Sequence, residues 1–300
     1  MVGQGRPLNP EHPRLSVVVA AQDGPSRPEE WLAVLCDQGV DEAIEVQIVG
    51  RSTDRYASVV KEEFPQVHVI TVPGAALVPE LWEAGIRQSR ADIVALTTLD
   101  CLPQPGWISA ILSAHRRPVA AVGGTITCDP HGRVLDWAVY LCRYSPYIEP
   151  REGPAVEIAG DNASYKRFAI DECPEPRRDG FWEANVHEAL RRAGRQLWLD
   201  PGIRVVYRNP FGFAAFIRQR FQHGMRFTRG RSAELPPWER ALRAVLWPVV
   251  PVLMLLRIAR RVVAEGRHCR KLVLALPVLT LFLMAWALGE AVGYARGRSQ

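Results

Sequence analysis

The sequence predicts an α/β fold with a doubly wound, mostly parallel sheet, followed by amphipathic and membrane helices at the C-terminus. Short β-branched runs alternate with helical patterns between residues 15 and 123, the order expected of a parallel sheet with helices on both faces. A basic, aromatic pattern begins at residue 211, and the segment 272–289 contains no charged residue. An uncharged segment of this length meets the lower limit for crossing a membrane.

The strands are predicted from continuous apolar runs, because parallel strands are buried on both faces and do not alternate. The runs are LSVVVAA (15–21), IEVQIV (44–49), VHVITV (67–72), DIVALTT (92–98) and VAAVGG (118–123). Helical spacing between them predicts helices at 28–38, 52–64 and 79–89. The second of these begins with cap-forming residues and the third with a proline, as helices often do.

The middle of the chain is more irregular. We predict an antiparallel edge strand at LDWAVYLC (135–142), a helix at FWEANVHEALRRAG (181–194) that ends in glycine, and two short strands around a DPG turn at 197–210. The expected organisation is a loose tail (1–13), an α/β domain (14–210), a basic interfacial helix region (211–240), a membrane-associated helical hairpin (241–292) and a second tail (293–300).

Positive charge is concentrated in the C-terminal third of the chain. Residues 207–300 contain 16 Lys and Arg against 4 Asp and Glu, whereas residues 1–206 carry a net charge of −7. A basic and apolar region favours a membrane surface as partner. Nucleic acid is not predicted as a partner, since no recognition module for it is found.

Two apolar segments, 244–256 and 272–289, define the predicted hairpin. If both crossed the membrane, the basic stretch between them would face away from a cytoplasmic α/β domain, against the positive-inside tendency. One solution is that 244–256 is re-entrant or interfacial and only 272–289 crosses. A buried helical hairpin of a soluble protein is the alternative, and the topology stays open.

Cysteine usage and the N-terminus predict the compartment. The six cysteines form no CxxC pair and none lies beside a histidine at metal spacing, so we expect reduced core thiols in a cytoplasmic domain. The stretch MVGQGRPLNPEHPR lacks the apolar region of a signal peptide. The predicted location is the cell membrane, with the α/β domain in the cytoplasm.

One strand end presents a candidate functional residue. In doubly wound sheets, ligands bind beyond the C-terminal ends of the strands, and TTLDCLPQPGW (97–107) places Asp100 at such an end. A turn aspartate before Pro103 would give the same pattern. No GxGxxG follows the first strand, which argues against a dinucleotide-binding oxidoreductase.

Six segments together resemble a known family. They are LSVVVAAQD, GRSTD, LWEAGI, TTLDCLPQPGW, GDNASYKR and FWEANVHEALRRAG. In this order and spacing they are similar to the family 2 glycosyltransferases of the GT-A fold, over residues 14–210. The resemblance implies transfer of a sugar, with inversion, from a nucleotide-diphosphate donor to an acceptor hydroxyl. The basic helix and apolar segments resemble those of membrane-attached members.

The resemblance also implies a metal ligand and a base. The family's Asp-x-Asp reads Thr98-Leu99-Asp100 here, so Asp100 alone would hold Mg²⁺ or Mn²⁺ on the diphosphate; one carboxylate with phosphate oxygens and water can suffice. Registering ALRRAG (189–194) on the family pattern aligns Glu183 with the catalytic base and Trp182 with the acid before it. A helix-capping role for Glu183 is the alternative.

The remaining site residues follow from the same register. Ala20 and Gln22 align with the family residues that cradle the nucleotide base. In the family's acidic motif after the second strand, Ser52 and Asp54 are retained, but Gly50 replaces an acid. Contacts to acceptor or phosphate are implied for Asp161, Asn162, Trp182, Arg208 and Arg220. Arg220 lies in RQRF (218–221), where snorkelling arginines would look the same.

The predicted protein is therefore a membrane-attached hexosyltransferase that uses a nucleotide-sugar donor and a lipid-linked or glycan acceptor at the cytoplasmic face. Acids are missing at Gly50 and Thr98. For that reason, a degenerate domain acting as a non-catalytic binding or scaffold subunit is the alternative.

Overall fold

The computed structural model describes residues 13–21, 27–38, 44–51, 56–74, 76–232 and 235–296. The chain divides into two compact units. The first contains Met1–Thr127 and Tyr147–Arg208, and the second contains Cys128–Pro146 and Asn209–Gln300. Residues 128–146 thus belong with the C-terminal helices, which the sequence did not predict.

The described residues form nine strands and eleven α-helices. The strands are β1 (Leu15–Ala20), β2 (Ile44–Arg51), β3 (His68–Val72), β4 (Ile93–Thr98), β5 (Cys101–Pro103), β6 (Ala121–Cys128), β7 (Gly153–Ala155), β8 (Asn162–Lys166) and β9 (Leu197–Tyr207). The helices are α1 (Pro28–Cys36), α2 (Tyr56–Glu63), α3 (Val78–Gln88), α4 (Trp107–Ala114), α5 (Val134–Tyr144), α6 (Arg167–Asp171), α7 (Glu183–Arg192), α8 (Phe213–Ser232), α9 (Pro237–Val245), α10 (Val249–Ala264) and α11 (Cys269–Arg296).

One mixed sheet forms the centre of the first unit, in the order β3-β2-β1-β4-β8-β6-β9-β5, with β7 paired to β9. The strands β3, β2, β1 and β4 are parallel, and β8 runs antiparallel to β4. Ala20 pairs with Thr98, and Thr97 pairs with Asn162. The C-terminal ends of β1 and β4 and the start of β8 therefore meet at one edge of the sheet.

Helix α3 packs closely on this sheet because a glycine faces it. A Cβ on Gly85 would lie 2.3 Å from a methyl group of Val18 in β1. The neighbouring Trp82 and Ile86 are each 1% exposed. Proline at the start of α3 fits a helix N-terminus, and the close approach brings the residues of α3 to the sheet edge where β4 ends.

Helices α8 and α11 of the second unit are in backbone contact. A Cβ on Gly224 of α8 would lie 2.2 Å from the carbonyl oxygen of Trp286, and one on Gly289 of α11 would lie 2.1 Å from that of Phe221. Gly289 and Gly293 form a G-x-x-x-G pattern, the arrangement that lets helix backbones approach closely. A Cβ on Gly293 would likewise meet Thr228 at 1.9 Å.

One of the two apolar segments lies in a helix with the length that a membrane requires. Among the residues described, one helix, α11, is long and apolar enough to cross a membrane. The pair α9 and α10 satisfies the same criterion jointly, with a bend of 64° between them.

Two predictions of secondary structure were wrong. The segment 135–142 is not an edge strand but part of α5, where Trp137, Tyr140, Leu141 and Tyr144 share a buried face at helical spacing and Asp136 accepts a hydrogen bond from the Arg133 N–H at 2.8 Å. The segment 197–210 is not two strands, since β9 runs unbroken through Asp200 and Pro201 and pairs with β7 and then β5.

The expectation of core thiols holds for only some of the cysteines. Cys101, Cys128 and Cys173 are buried, whereas Cys36 and Cys269 are exposed. All six are free thiols.

Candidate active site

The end of β4 brings three of the predicted site residues together. The Leu99 N–H donates to the carbonyl oxygen of Ala20 at 3.3 Å, and the Arg208 N–H donates to that of Asp100 at 2.8 Å. Asp100 is 8% exposed and Ala20 is 1% exposed. These main-chain bonds fix the strand ends on either side of Asp100. Asp100 therefore lies at the sheet edge where ligands bind in such folds.

The side chain of Arg208 turns to another partner. Its guanidinium forms an ion pair with Glu30 of α1, and both side chains are about half exposed. A pair with that exposure contributes little to stability. It nevertheless means that a phosphate group would have to compete with Glu30 for Arg208.

Trp82 links the end of β4 to Glu183. The indole N–H of Trp82 donates to the carbonyl oxygen of Thr97 at 2.8 Å. A Cβ added to Gly160 would lie 2.7 Å from the Trp82 ring and 3.2 Å from Oε1 of Glu183. Gly160 therefore lies between Trp82 and Glu183, and only glycine leaves both side chains where they are. The sequence drew attention to Glu183 and to the segment GDNASYKR, which begins at Gly160, but did not predict the role of Trp82.

Helix α7 begins at Glu183 and holds the carboxylate at its first turn, with Trp182 as the preceding cap residue. Glu183 is partly exposed, and Phe181 just before it is fully buried against Tyr165, with ring centroids 5.0 Å apart. The buried phenylalanine anchors the start of the helix. The Trp182 indole N–H donates to the Asp179 carbonyl oxygen at 3.2 Å.

A buried pair lies on α7 one turn after Glu183. Nε2 of His187 and the hydroxyl of Tyr165 are 2.8 Å apart, and both residues are 0% exposed. Burial, with a smaller effect from Arg191, lowers the pKa of His187 to about 3, so the imidazole is neutral at physiological pH. Burial, together with the charge of Glu183, raises the pKa of Tyr165 well above its usual value.

Asn162 is engaged inside the first unit. Its Oδ1 accepts from the Trp107 indole N–H at 2.9 Å, and its Nδ2 donates to the carbonyl oxygens of Thr125 and Ile203 at 2.9 and 3.0 Å. With 1% exposure, this amide holds three elements together and is not presented to a sugar. The neighbouring Asp161 is 5% exposed, and its carbonyl oxygen accepts from the Thr97 hydroxyl at 3.0 Å.

Arg220 lies in the second unit, among aromatic rings. Its guanidinium carbon is 5.4 Å from the ring centroid of Phe216 and 4.8 Å from that of Trp286, and Nη2 is 3.3 Å from Nδ1 of His223. The buried Nε finds no hydrogen-bond partner in the described structure. Burial lowers the pKa of Arg220, as expected for a cation removed from water.

Three predicted donor-binding residues, Gln22, Ser52 and Asp54, lie outside the described residues. Within the described ranges, no group of three or more His, Cys, Asp or Glu side chains could hold a metal ion. The donor chemistry at Asp100 is a single carboxylate at a strand end. It fits a divalent cation that takes its remaining ligands from phosphate oxygens and water.

Comparisons with known proteins bear on the family and the fold. The family model described as glycosyl transferase family 2 matches residues 16–173. The mannosyltransferase PcManGT from Pyrobaculum calidifontis, solved in complex with GDP-Man and Mn2+, superposes with a TM-score of 0.55 at 18% identity, covering 96% of this chain and 89% of that chain. A mycobacterial protein gives a TM-score of 0.48 at 17% identity, covering 72% and 74%. No curated protein matches the sequence significantly.

Proposed function

The chain belongs to glycosyl transferase family 2 and has the GT-A fold, and we propose that it transfers a hexose from a nucleotide-diphosphate donor to the hydroxyl of a lipid-linked or glycan acceptor. One observation carries the proposal. Glu183 Oε1 lies 3.2 Å from the Cβ position of Gly160, beside the Trp82 ring that is hydrogen-bonded to the end of β4. A carboxylate and the sheet edge that carries Asp100 are thus linked through one tryptophan.

Glu183 is the proposed catalytic base. Inverting transfer needs a carboxylate within hydrogen-bond reach of the attacking hydroxyl, whose proton it takes as the new bond to the anomeric carbon forms. Glu183 is partly exposed, so an acceptor can reach it. Trp82 and Gly160 occupy the space on one side of its carboxylate, which restricts the directions from which a hydroxyl can approach.

Asp100 is the proposed residue on the leaving-group side. Its main chain is fixed by the bonds from Arg208 and, through Leu99, to Ala20, so the backbone position of Asp100 is set before the donor binds. A divalent cation held by Asp100 would neutralise the charge that develops on the diphosphate. The complex of PcManGT with GDP-Man and Mn2+ supports a nucleotide sugar and a divalent cation as the ligands here.

The second unit is the proposed membrane attachment, with the first unit on the cytoplasmic side. Among the described residues, the exposed large apolar side chains lie in the second unit apart from Val156 and Phe168. They are concentrated on α9, α10 and α11. Exposed apolar surface of this extent marks an interaction site, and an apolar helix long enough to cross a bilayer favours lipid as the partner.

Arg220 is proposed to contact a phosphate group of the acceptor. Arg220 is only partly exposed, and a cation drawn away from water without an acidic partner is costly. Its described contacts are aromatic rings, a histidine and a thiol. A phosphate on a lipid carrier would supply the missing negative charge. Arg218, exposed on the same helix, offers a position of the same charge without burial.

Thermal-shift measurements on the full chain test the proposal. The wild type and Asp100→Asn are compared with GDP-mannose and UDP-glucose, each with and without Mn²⁺. We expect one donor to raise the unfolding temperature of the wild type by several degrees in the presence of Mn²⁺, because a ligand bound only to the folded state stabilises it. An equal response of both proteins would remove Asp100 from the site.

The scaffold alternative predicts a different result. The acids missing at Gly50 and Thr98 motivate it. A non-catalytic domain would release no nucleoside diphosphate from any donor, and Glu183→Gln would change nothing that can be measured.

A further inference from the structure

The ion pair between Glu83 and Arg177 joins α3 to the segment that precedes Glu183. Arg177 Nε donates to Glu83 Oε2 at 2.9 Å, and Nη2 donates to Oε1 at 3.1 Å. Arg177 is 9% exposed and Glu83 is 6% exposed. The two parallel bonds form the bidentate arrangement that fixes orientation as well as distance.

The segment from Arg177 to Trp182, which we call the Arg177 loop, is held against the start of α3 at a second point. The Phe181 N–H donates to the carbonyl oxygen of Pro79 at 2.7 Å. Gly180 has a φ of +113°, and a Cβ there would lie 3.1 Å from the main chain of Pro79 and Glu80. The loop thus lies on the backbone of α3 immediately before α7 begins.

Neighbouring residues of α3 therefore reach both halves of the proposed site. Trp82 is bonded to Thr97 near the end of β4, three residues before Asp100. Glu83, the next residue, is bonded to Arg177, six residues before Glu183. Because α3 is a helix of 11 residues that packs closely on β1, it is a rigid connection between the two.

We propose that the Glu83–Arg177 ion pair is a positioning element that sets the placement of Glu183 relative to the end of β4, through α3. This inference rests on the proposed role of Glu183 as base. Neither Glu83 nor Arg177 touches the reacting groups in this proposal. Loss of the pair would let the Arg177 loop and the first turn of α7 move away from Trp82 and Gly160.

A second arginine provides a matched control. Arg87 Nε also donates to Glu83 Oε1 at 2.9 Å, but its side chain is 65% exposed and lies on α3 itself, one turn after Glu83. Arg87 binds the same carboxylate with the same type of group without connecting α3 to the loop. Removing Arg87 takes one positive charge away from Glu83 but leaves the bonds between α3 and the Arg177 loop in place.

Hydrogen exchange tests the positioning claim without any substrate. In the full chain, we expect Arg177→Met to raise amide exchange at least tenfold at residues 178–186, and Arg87→Met to leave it unchanged. Unchanged protection at 178–186 in a folded Arg177→Met protein would overturn the inference. If Arg177→Met does not fold, Arg177→Lys serves instead, because it keeps the charge but loses one of the two bonds to Glu83. Residues 178–186 should still show faster exchange in that variant.

Steady-state kinetics then separate this inference from the proposed function. With GDP-mannose or UDP-glucose and Mn²⁺, nucleoside diphosphate release by Arg177→Met should show kcat lowered about 10- to 100-fold, the range expected when a catalytic group is displaced by a fraction of an ångström to one ångström. The KM for the donor should stay within about twofold of the wild-type value, because the donor side of the site is not altered.

The outcomes are distinguishable. Activity lost in Glu183→Gln but retained in folded Arg177→Met and Arg177→Lys leaves the proposed function standing and overturns the positioning role. Activity unaffected by Glu183→Gln contradicts the proposed function, while faster exchange at 178–186 in Arg177→Met would still show that the pair anchors the loop.

Discussion

Gly160 and Glu183 are so close that a methyl group on the glycine would lie 3.2 Å from Oε1 of the glutamate. The two residues are far apart in the sequence, on opposite sides of β8. Their proximity depends on the sheet edge and on Trp82, which a Gly160 Cβ would also meet, at 2.7 Å.

We expect Gly160→Ala to lower transfer activity about tenfold or more. The added methyl group must push Trp82 or Glu183 aside, and a small displacement of a catalytic group is costly to the rate. The measurement is kcat with a saturating donor. Gly212→Ala is the control, because a Cβ there meets nothing within 4 Å; equal activity of the two variants would contradict the prediction.

Glu183→Gln should lower kcat by about 10²- to 10⁴-fold while donor binding is retained, since the amide fills the same space but cannot accept the proton. Donor affinity is followed by thermal shift and turnover by release of the nucleoside diphosphate. Glu188→Gln serves as control, because Glu188 lies on the same helix and is ion-paired with Arg192. A Glu183→Gln enzyme with normal turnover would exclude it as base.

The buried His187 should make the first unit sensitive to acid. Its pKa is about 3 in the folded protein and about 6.5 in an unfolded chain. The unfolded state therefore binds more protons between these values, and stability falls as pH decreases from about 6.5 towards 3. Between pH 7 and pH 4.5, the free energy of unfolding should fall in both proteins. The fall should be smaller in His187→Gln than in the wild type, by on the order of 2 kcal/mol.

Urea unfolding at pH 7, 5.5 and 4.5 measures this difference. Glutamine retains a hydrogen-bonding group near the Tyr165 hydroxyl but does not titrate. His115, whose pKa is also lowered by burial, to about 4, remains in both proteins, so the wild type and the variant share its contribution. Parallel pH profiles for the two proteins would show that His187 is not the sensitive group.

Gly289→Ala should destabilise the second unit. A Cβ at this position would lie 2.1 Å from the Phe221 carbonyl oxygen, so α8 and α11 must separate, and overpacking of this kind typically costs about 1–3 kcal/mol. Thermal unfolding in detergent is the measurement. Leu288→Ala, at a side chain that is 44% exposed, should have little effect, and an unchanged unfolding temperature for Gly289→Ala would argue against the close helix contact.

The chain should fractionate with membranes and resist extraction by alkaline carbonate. A helix that crosses the bilayer is not released by charge changes, whereas an interfacial helix is held partly by electrostatic attraction. Release by high salt alone would indicate surface attachment, and recovery in the soluble fraction would contradict membrane attachment.

The sequence predicted much of the first unit because its strands are continuous apolar runs. LSVVVAA and DIVALTT became β1 and β4 with nearly the expected bounds. LDWAVYLC failed because its apolar residues satisfy both the strand and the helix period over so short a stretch. The deciding factor was its partner: α5 packs in the unit formed by the C-terminal helices, which no local pattern reveals.

The site was predictable only in part, for a similar reason. A strand end and a helix start are local features, and they pointed to Asp100 and Glu183. Trp82 and Arg177 connect these residues through contacts between segments that are distant in the sequence, and their own residue types indicate nothing unusual. Asn162 shows the opposite case, since a polar residue in a motif turned out to be fully engaged within the protein.

Because residues 128–146 belong to the same unit as the C-terminal helices, the polypeptide passes out of the first unit twice, once in its middle and once at its end. Truncating the chain after Arg208 would therefore not yield a well-behaved soluble enzyme. Helix α5 would remain attached, and the side chains of Trp137 and Tyr140 would lose the C-terminal helices of their unit. Such a fragment should precipitate or bind chaperones, so the first unit cannot be separated from the second by truncation at Arg208.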